Sequence, residues 1–315
     1  LDCSELAGRL KGAVERNRAD ALLLSGGLDS AVIASIMRPQ YAVTAALGSN
    51  APDLAYARQA AQKYCKMHVE EIFDEERMVE LVDIAVQVFR TFDPIEIRNS
   101  CVALAALQRA KEDGHGAVVT GDGGDELFAG YNYLSRYYDD SERLGQELAR
   151  LWEVMHFSSR ALGERMGIEV KAPFLDGEFA EYAKSMPASE KVGERQGTKW
   201  GKFALRRCFE GELGALAWRQ KMAQEQGAGT DLFYRYVDGM IDDATYARKA
   251  KIALAEGVKL RSKEHLHYYA MFRSYNAPPG DEKCNTRCPE CNGCFTWKGR
   301  FCRTCGAYPV TPVSL

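Results

Sequence analysis

The stretch Ala21-Leu22-Leu23-Leu24-Ser25-Gly26-Gly27-Leu28-Asp29-Ser30 runs from a short apolar segment, through two glycines, into helix-forming text that continues to Met37. Read as strand, loop and helix, it places backbone N–H groups and a helix N-terminus where an oxyanion can sit. Ser25 and Ser30 add hydroxyl donors around Gly26 and Gly27. Asp29 repels a bare phosphate, so its natural partner is Mg²⁺ bridging phosphate oxygens. No lysine follows the glycines, which excludes the phosphate loop of kinases and GTPases. A Gly-Gly turn capped by Asp29 or Ser30 is the plain structural alternative.

Outward from this loop the chain alternates. Tyr41 to Leu47 reads as a strand, Asp53 to Tyr64 as a helix, His68 to Phe73 as a strand and Glu75 to Phe89 as a helix. Helical text from Asn99 to Glu112 then precedes a buried strand, Ala117 to Thr120. Such alternation predicts an α/β fold with a doubly wound parallel sheet, whose ligands lie beyond the carboxyl ends of the strands at the switch point. The predicted α/β core covers about 19–130 and a mostly helical part about 131–276, together one domain over 1–276. A linker at 277–283, rich in proline and glycine, leads to a cysteine-rich module at 284–315.

A second glycine-and-aspartate loop, Thr120-Gly121-Asp122-Gly123-Gly124-Asp125-Glu126-Leu127-Phe128-Ala129-Gly130-Tyr131, follows the last clear strand. Its crowded carboxylates repel one another unless cations offset them. A solvated turn and a calcium loop are the bland readings, and the ligand spacing of an EF-hand is absent.

The first loop resembles that of the N-type ATP pyrophosphatases (adenine nucleotide α-hydrolase-like, PP-loop proteins), and the second resembles the signature of the synthetase domain of asparagine synthetases. Further segments are similar to that family in the same order: Gly48 to Leu54 with Ala57-Arg58, Ile97-Arg98-Asn99-Ser100, Val170 to Asp176, and Trp218-Arg219-Gln220-Lys221 with Gly227 and Gly229. The resemblance implies that ATP is split between its α and β phosphates, that a carboxylate is adenylated, and that a nitrogen nucleophile displaces AMP. It implies that Asp29 and Asp125 hold Mg²⁺–pyrophosphate, that Ser25, Gly27 and Ser30 touch phosphates, and that Leu24 and Gly121 lie against adenosine. Lys221 then acts as an ammonium clamp on the α-phosphate, and Asp122 accepts a proton from ammonia. Arg98 can clamp a substrate carboxylate, with a helix-start arginine as the bland alternative.

The match has gaps. Full-length members carry a glutaminase that begins with a catalytic cysteine, whereas here only a short segment precedes the first strand and Cys3 is not the first residue. Ammonia is therefore expected to arrive free or from a separate glutaminase subunit. Lys171 stands where the family has arginine, and Ser159-Arg160 does not match its Asp-Arg pair. Aspartate is the expected acceptor. Two other readings stay open: an adenylating enzyme acting on a tRNA base, a peptide or another acid, as in β-lactam synthetases, and a non-catalytic nucleotide-binding adaptor.

Of ten cysteines, Cys3, Cys65, Cys101 and Cys208 are scattered, while Cys284, Cys288, Cys291, Cys294, Cys302 and Cys305 crowd the tail. Cys288-Pro-Glu-Cys291 and Cys302-Arg-Thr-Cys305 have zinc-ribbon spacing, so Cys288, Cys291, Cys302 and Cys305 are the expected structural Zn²⁺ ligands rather than disulfide partners. A register using Cys294 with Cys291, and an iron–sulfur cluster, remain alternatives. Lys298, Arg300 and Arg303 beside Trp297 and Phe301 suit contact with RNA or a protein; a cap packed on its own chain suits the same residues. The net charge of −3 excludes a strongly basic nucleic-acid binder. No apolar run spans a bilayer and no signal peptide is read, so a cytoplasmic protein without a membrane partner is expected, with a homodimer among the open assemblies.

Overall fold

The computed structural model describes residues 1–281, 284–295 and 299–314, in two compact units with interleaved segments. The first comprises 1–45, 52–71 and 106–223; the second comprises 46–51, 72–105 and 224–315. Helix α1 (Cys3–Arg16) starts where the Asp2 carboxylate accepts from the amides of Ser4 and Glu5. Then follow β1 (Ala21–Leu23), α2 (Leu28–Met37), β2 (Tyr41–Leu47), α3 (Pro52–Tyr64), β3 (Met67–Phe73), α4 (Glu75–Phe89), α5 (Pro94–Glu112) and β4 (Ala117–Val119). The expected alternation is therefore present, with boundaries shifted by a few residues.

The sheet has the order β3-β2-β1-β4-β5, where β5 is Glu169–Lys171. Strand β1 pairs in parallel with both β2 and β4, and β4 pairs in parallel with β5. The chain thus moves outward from β1 to β3 and returns to the opposite side as β4. The reversal lies between β1 and β4, and the two Gly/Asp loops leave those two strands side by side.

Helix α2 is buried on nearly every side, which suits its run of Ala, Val, Ile and Met. It ends at Arg38, in the left-handed region just before Pro39. Behind the second loop, Phe128, Phe174 and Phe179 are fully buried, with ring centroids 5.9–6.4 Å apart. At about 2 kcal/mol for each buried side chain, this aromatic knot fixes the base of the loop.

The rest of the first unit is short elements: α6 (Gly124–Leu127), α7 (Ser141–Val154), α8 (Ser158–Met166), α9 (Gly177–Ser185), α10 (Ala188–Lys191), the hairpin β6 (Gly193–Arg195) and β7 (Thr198–Trp200), α11 (Phe203–Cys208) and α12 (Glu210–Leu213). The scattered cysteines are not all single: Cys3 and Cys208 form a disulfide that joins the start of α1 to the end of α11.

The second unit adds α13 (Gln224–Gly227), α14 (Phe233–Met240), α15 (Asp243–Ala255), α16 (Lys263–Tyr275) and a tail in which β8 (Thr286–Arg287) pairs with β9 (Val313–Ser314). Among the described residues no helix is long and apolar enough to cross a membrane.

Candidate active site

Helix α2 has Gly27 as its N-cap and no side-chain cap, so no capping side chain occupies its first amides. Gly26 has φ of +75°, and a Cβ there would overlap the Asp53 carbonyl, so only glycine suits this turn. The loop is tied internally: Ser30 Oγ donates to Gly27 O at 3.2 Å and lies 3.1 Å from Ser25 Oγ. Arg219 fastens it from outside. Its guanidinium donates to Gly26 O and, at 2.5 Å, to Asp53 Oδ1, and lies 4.0 Å over the Tyr56 ring.

The second loop places Asp125 beside Asp29, with two lysines meeting them. Lys202 Nζ donates to Asp29 Oδ2 at 2.5 Å and lies 2.8 Å from Asp125 Oδ1, while Lys221 Nζ lies 2.8 Å from Asp125 Oδ2. Lys202 is only 3% exposed, Asp29 13%, Asp125 17% and Lys221 31%. Burial alone would raise the Asp125 carboxyl, but the ammonium groups of Lys202 and Lys221 outweigh it and hold Asp125 ionised. At Asp29 burial dominates and pushes the pKa up, against the pull of Lys202. Burial works against the Lys202 charge, yet Asp125 and Asp29 together raise its pKa.

Gly130 closes the back of this cluster: a Cβ there would overlap both Asp125 Oδ1 and Lys202 Cε. Asp29 Oδ1 is buried with no hydrogen-bond donor among the described residues. An orphaned carboxylate oxygen beside uncapped amides and two ammonium groups fits a Mg²⁺–polyphosphate.

Asp122 lies at the edge of the same loop. Its Oδ2 accepts from Thr120 Oγ1 at 3.0 Å and from Ser159 Oγ. Burial raises its pKa, and these two hydroxyls oppose the rise. Gly121 backs on Asp29 and Ser30, 3.1 Å from each as measured from its would-be Cβ. Leu24 is committed to β2: its N–H donates to Val43 O at 2.8 Å, and its carbonyl accepts from Thr44 Oγ1 at 2.5 Å. That hydroxyl lies 2.8 Å from His68 Nε2, whose burial lowers the histidine pKa and favours a neutral ring donating to Thr44.

Asp29, Asp125 and Lys221 thus converge, with Ser25, Gly26, Gly27, Ser30, Gly121 and Asp122 around them. Lys202 was not anticipated, because a lone lysine before a short apolar helix looks like surface text. Its signal is the tight Gly201-Lys202 approach to the loop, where Lys202 N–H donates to Phe128 O at 2.7 Å. Arg98 belongs to the second unit. Its Nε donates to Glu264 Oε1 at 2.8 Å, and Tyr268 Oη donates to the same oxygen. Glu264 is 4% exposed, so the Arg98 fork is occupied by a buried partner.

In the tail the sulfurs of Cys288, Cys291, Cys302 and Cys305 all lie within 4.8 Å of one another and are buried. Cys288–Cys305 and Cys291–Cys302 are 3.9 and 3.7 Å apart. A Zn–S bond of about 2.3 Å at a tetrahedral centre requires edges of about 3.8 Å, so the four sulfurs fit zinc. Cys294, the ligand of the alternative register, bonds Cys284 and lies outside this four-sulfur cluster. The tail is keyed to its own unit: Phe92 N–H donates to Thr304 O at 2.9 Å, Thr91 Oγ1 to Arg303 O at 2.7 Å, and Lys259 N–H to Glu290 O at 2.8 Å. Trp297 and Lys298, read from the sequence as contact residues, lie outside the described residues.

Comparison with known proteins agrees with this geometry. The family profile described as asparagine synthase matches residues 5–166 and 157–257. The chain is 28% identical over 295 residues to an asparagine synthetase [glutamine-hydrolyzing] 1 of Lotus japonicus, covering 84% of this chain and 50% of that protein. It is 29% identical over 284 residues to the asparagine synthetase [glutamine-hydrolyzing] of Gallus gallus, covering 82% and 49%. For asparagine synthetase B [glutamine-hydrolyzing] of Escherichia coli K12 the values are 27% over 316 residues, 90% and 55%. The chain spans about half the length of these curated relatives. With the profile matching most of its length and the two loops meeting at its centre, the chain belongs to the asparagine synthase family.

Proposed function

We propose that this chain is an ATP-dependent, amide-forming ligase that adenylates a carboxylate, with aspartate as the first candidate, and passes the acyl group to ammonia. The observation that carries this reading is the convergence of Asp29, Asp125, Lys202 and Lys221 around the uncapped start of α2. ATP would lie with its β and γ phosphates over Ser25, Gly26, Gly27 and Ser30 and its adenosine toward Leu24 and Gly121. Asp29 and Asp125 would hold Mg²⁺, which when bound neutralises the leaving pyrophosphate.

The acceptor carboxylate attacks the α-phosphorus, the bond to the bridging oxygen breaks, and pyrophosphate leaves. Lys221, the more exposed lysine, stabilises charge on the α-phosphate and then on the adenylated carboxylate. Ammonia attacks the acyl carbon, AMP departs, and the proton lost by nitrogen passes to Asp122, whose Oδ2 is already held by Ser159 and Thr120. Nitrogen reaches the site as free ammonia or from a glutaminase; the relatives' names specify glutamine hydrolysis and this chain spans about half their length. Zn²⁺ on Cys288, Cys291, Cys302 and Cys305 has a structural role, supported by the bonds that seat the tail on residues 91–92 and 259.

Isotopic exchange of pyrophosphate into ATP, run with each of a set of acids, tests the reading. Exchange that depends on aspartate supports it, and asparagine should then form with ammonium. Exchange only with another acid or with RNA would change the acceptor, and no exchange with any acid would remove the catalytic reading.

A further inference from the structure

Each cation of the site follows a tryptophan: Trp200-Gly201-Lys202 and Trp218-Arg219-Gln220-Lys221. The two indoles meet edge to face, with centroids 5.6 Å apart and planes at 76°. Arg206 lies 4.7 Å over the Trp200 ring and Arg195 lies 4.5 Å over the Trp218 ring, so the indole pair carries a guanidinium at each end. Phe203 adds a second edge contact to Trp218 at 5.7 Å. Both indole nitrogens are buried with no hydrogen-bond partner among the described residues. Ring geometry, rather than hydrogen bonding, therefore sets how these side chains sit.

Arg206 links the same two segments through their backbones. Its Nε donates to Gly201 O at 3.0 Å, and one terminal nitrogen donates to Ala217 O at 2.6 Å and Arg219 O at 3.0 Å. These carbonyls flank Lys202 on one side and Trp218 on the other. Strand β7 ends at Trp200, so no β-ladder joins residues 201–202 to residues 217–221. The join is made by the tryptophan pair, Phe203 against Trp218, and Arg206. Lys202 also sits in the left-handed region, with φ of +55°, so its backbone is held in place rather than relaxed.

We propose that Trp200 and Trp218 are positioning residues: their contact, pinned by Arg206, sets the spacing of the Lys202 and Lys221 ammonium groups across Asp125, the carboxylate that holds magnesium pyrophosphate. The inference rests on the pyrophosphate reading of the site and goes beyond it by assigning the spacing to a pair that touches neither substrate nor metal. Loss of either ring opens the same join, so the two substitutions act as one.

The test is calorimetric binding of magnesium pyrophosphate to the whole chain, with thermal midpoints recorded alongside. The variants are W200L, W218L, the double variant, W200F, W218F, and W152F as a control for tryptophan loss elsewhere in the unit. Each leucine variant is expected to weaken binding about tenfold, the double variant to bind no worse than the weaker single, and phenylalanine at either position to recover most of the loss. W152F should bind as the parent does. Multiplicative losses in the double variant, or lowered midpoints with unchanged affinity, would overturn the proposal while leaving the pyrophosphate site standing. A parent protein that binds no magnesium pyrophosphate would overturn the site itself, and the spacing role with it.

Discussion

Lys202 and Lys221 grip opposite oxygens of one carboxylate, Asp125, each from 2.8 Å. They arrive from different segments and differ in burial, 3% against 31% exposed, so their removal should be felt differently. Lys221→Met is expected to cut pyrophosphate exchange about 10²–10³-fold with little change in melting temperature. Lys202→Met leaves Asp29 and Asp125 facing each other without their buried ammonium and should cost about 3–5 kcal/mol of stability. Urea titration of both variants alongside exchange assays checks the contrast.

Gly130 offers a test that removes no charge. A methyl group there collides with Asp125 Oδ1 and Lys202 Cε, so Gly130→Ala should lower exchange by at least tenfold, about 1.4 kcal/mol in barrier. Unchanged exchange in a folded Gly130→Ala protein would mean that the cluster tolerates displacement and that its geometry does not matter to the chemistry.

Lys191 is a lysine out of place: it is 4% exposed, ends α10, and has no carboxylate partner among the described residues. Burial lowers its pKa from 10.5 to about 8. Between those values the folded chain binds fewer protons than the unfolded one, so stability should rise as pH rises from about 8 toward 10.5. Lys191→Met should flatten that rise and stabilise the protein at pH 7 by about 1–3 kcal/mol. Denaturation midpoints across pH 7–10 report both effects.

Metal analysis separates the tail cysteines. Cys302→Ser should abolish stoichiometric zinc and lower the melting temperature, because the 302–305 knuckle supplies the carbonyls that accept from Thr91 and Phe92. Cys294→Ser should keep the metal. Equal zinc loss in both variants would restore Cys294 to the ligand set.

The Arg98–Glu264 pair carries its own check. Arg98→Met strands a buried carboxylate and should destabilise by about 3–5 kcal/mol, whereas Arg98→Met with Glu264→Met should recover most of it. A stable double variant whose KM for the acceptor acid rises sharply would return Arg98 to the substrate site.

Much of the α/β core was legible because parallel strands read as short apolar runs and their helices as longer periodic ones. Both Gly/Asp loops, and the convergence of Asp29 with Asp125, follow from that alternation once β1 and β4 are neighbours. Strand β5 was not legible: Glu169-Val170-Lys171 is short and half-buried, and only its pairing with β4 makes it a strand. Helix α1 lies before the alternation begins and went unassigned. Lys202 was missed because burial of a lysine is a tertiary fact, set here by two carboxylates distant in sequence. At Arg98 the sequence leaves a substrate clamp and a helix-start arginine both open, because nothing local announces Glu264, its partner on α16.

The resting cluster also has a bearing on how the site fills. Two carboxylates and two ammonium groups already face one another, so a lone divalent cation finds only Asp29 Oδ1 without a lysine and must evict an ammonium to reach the other three oxygens. A cation arriving on a polyphosphate brings anionic oxygens that receive the displaced lysines in the same event. On the proposed function, loading would then be an exchange of counterions, with the metal and its nucleotide entering as one body.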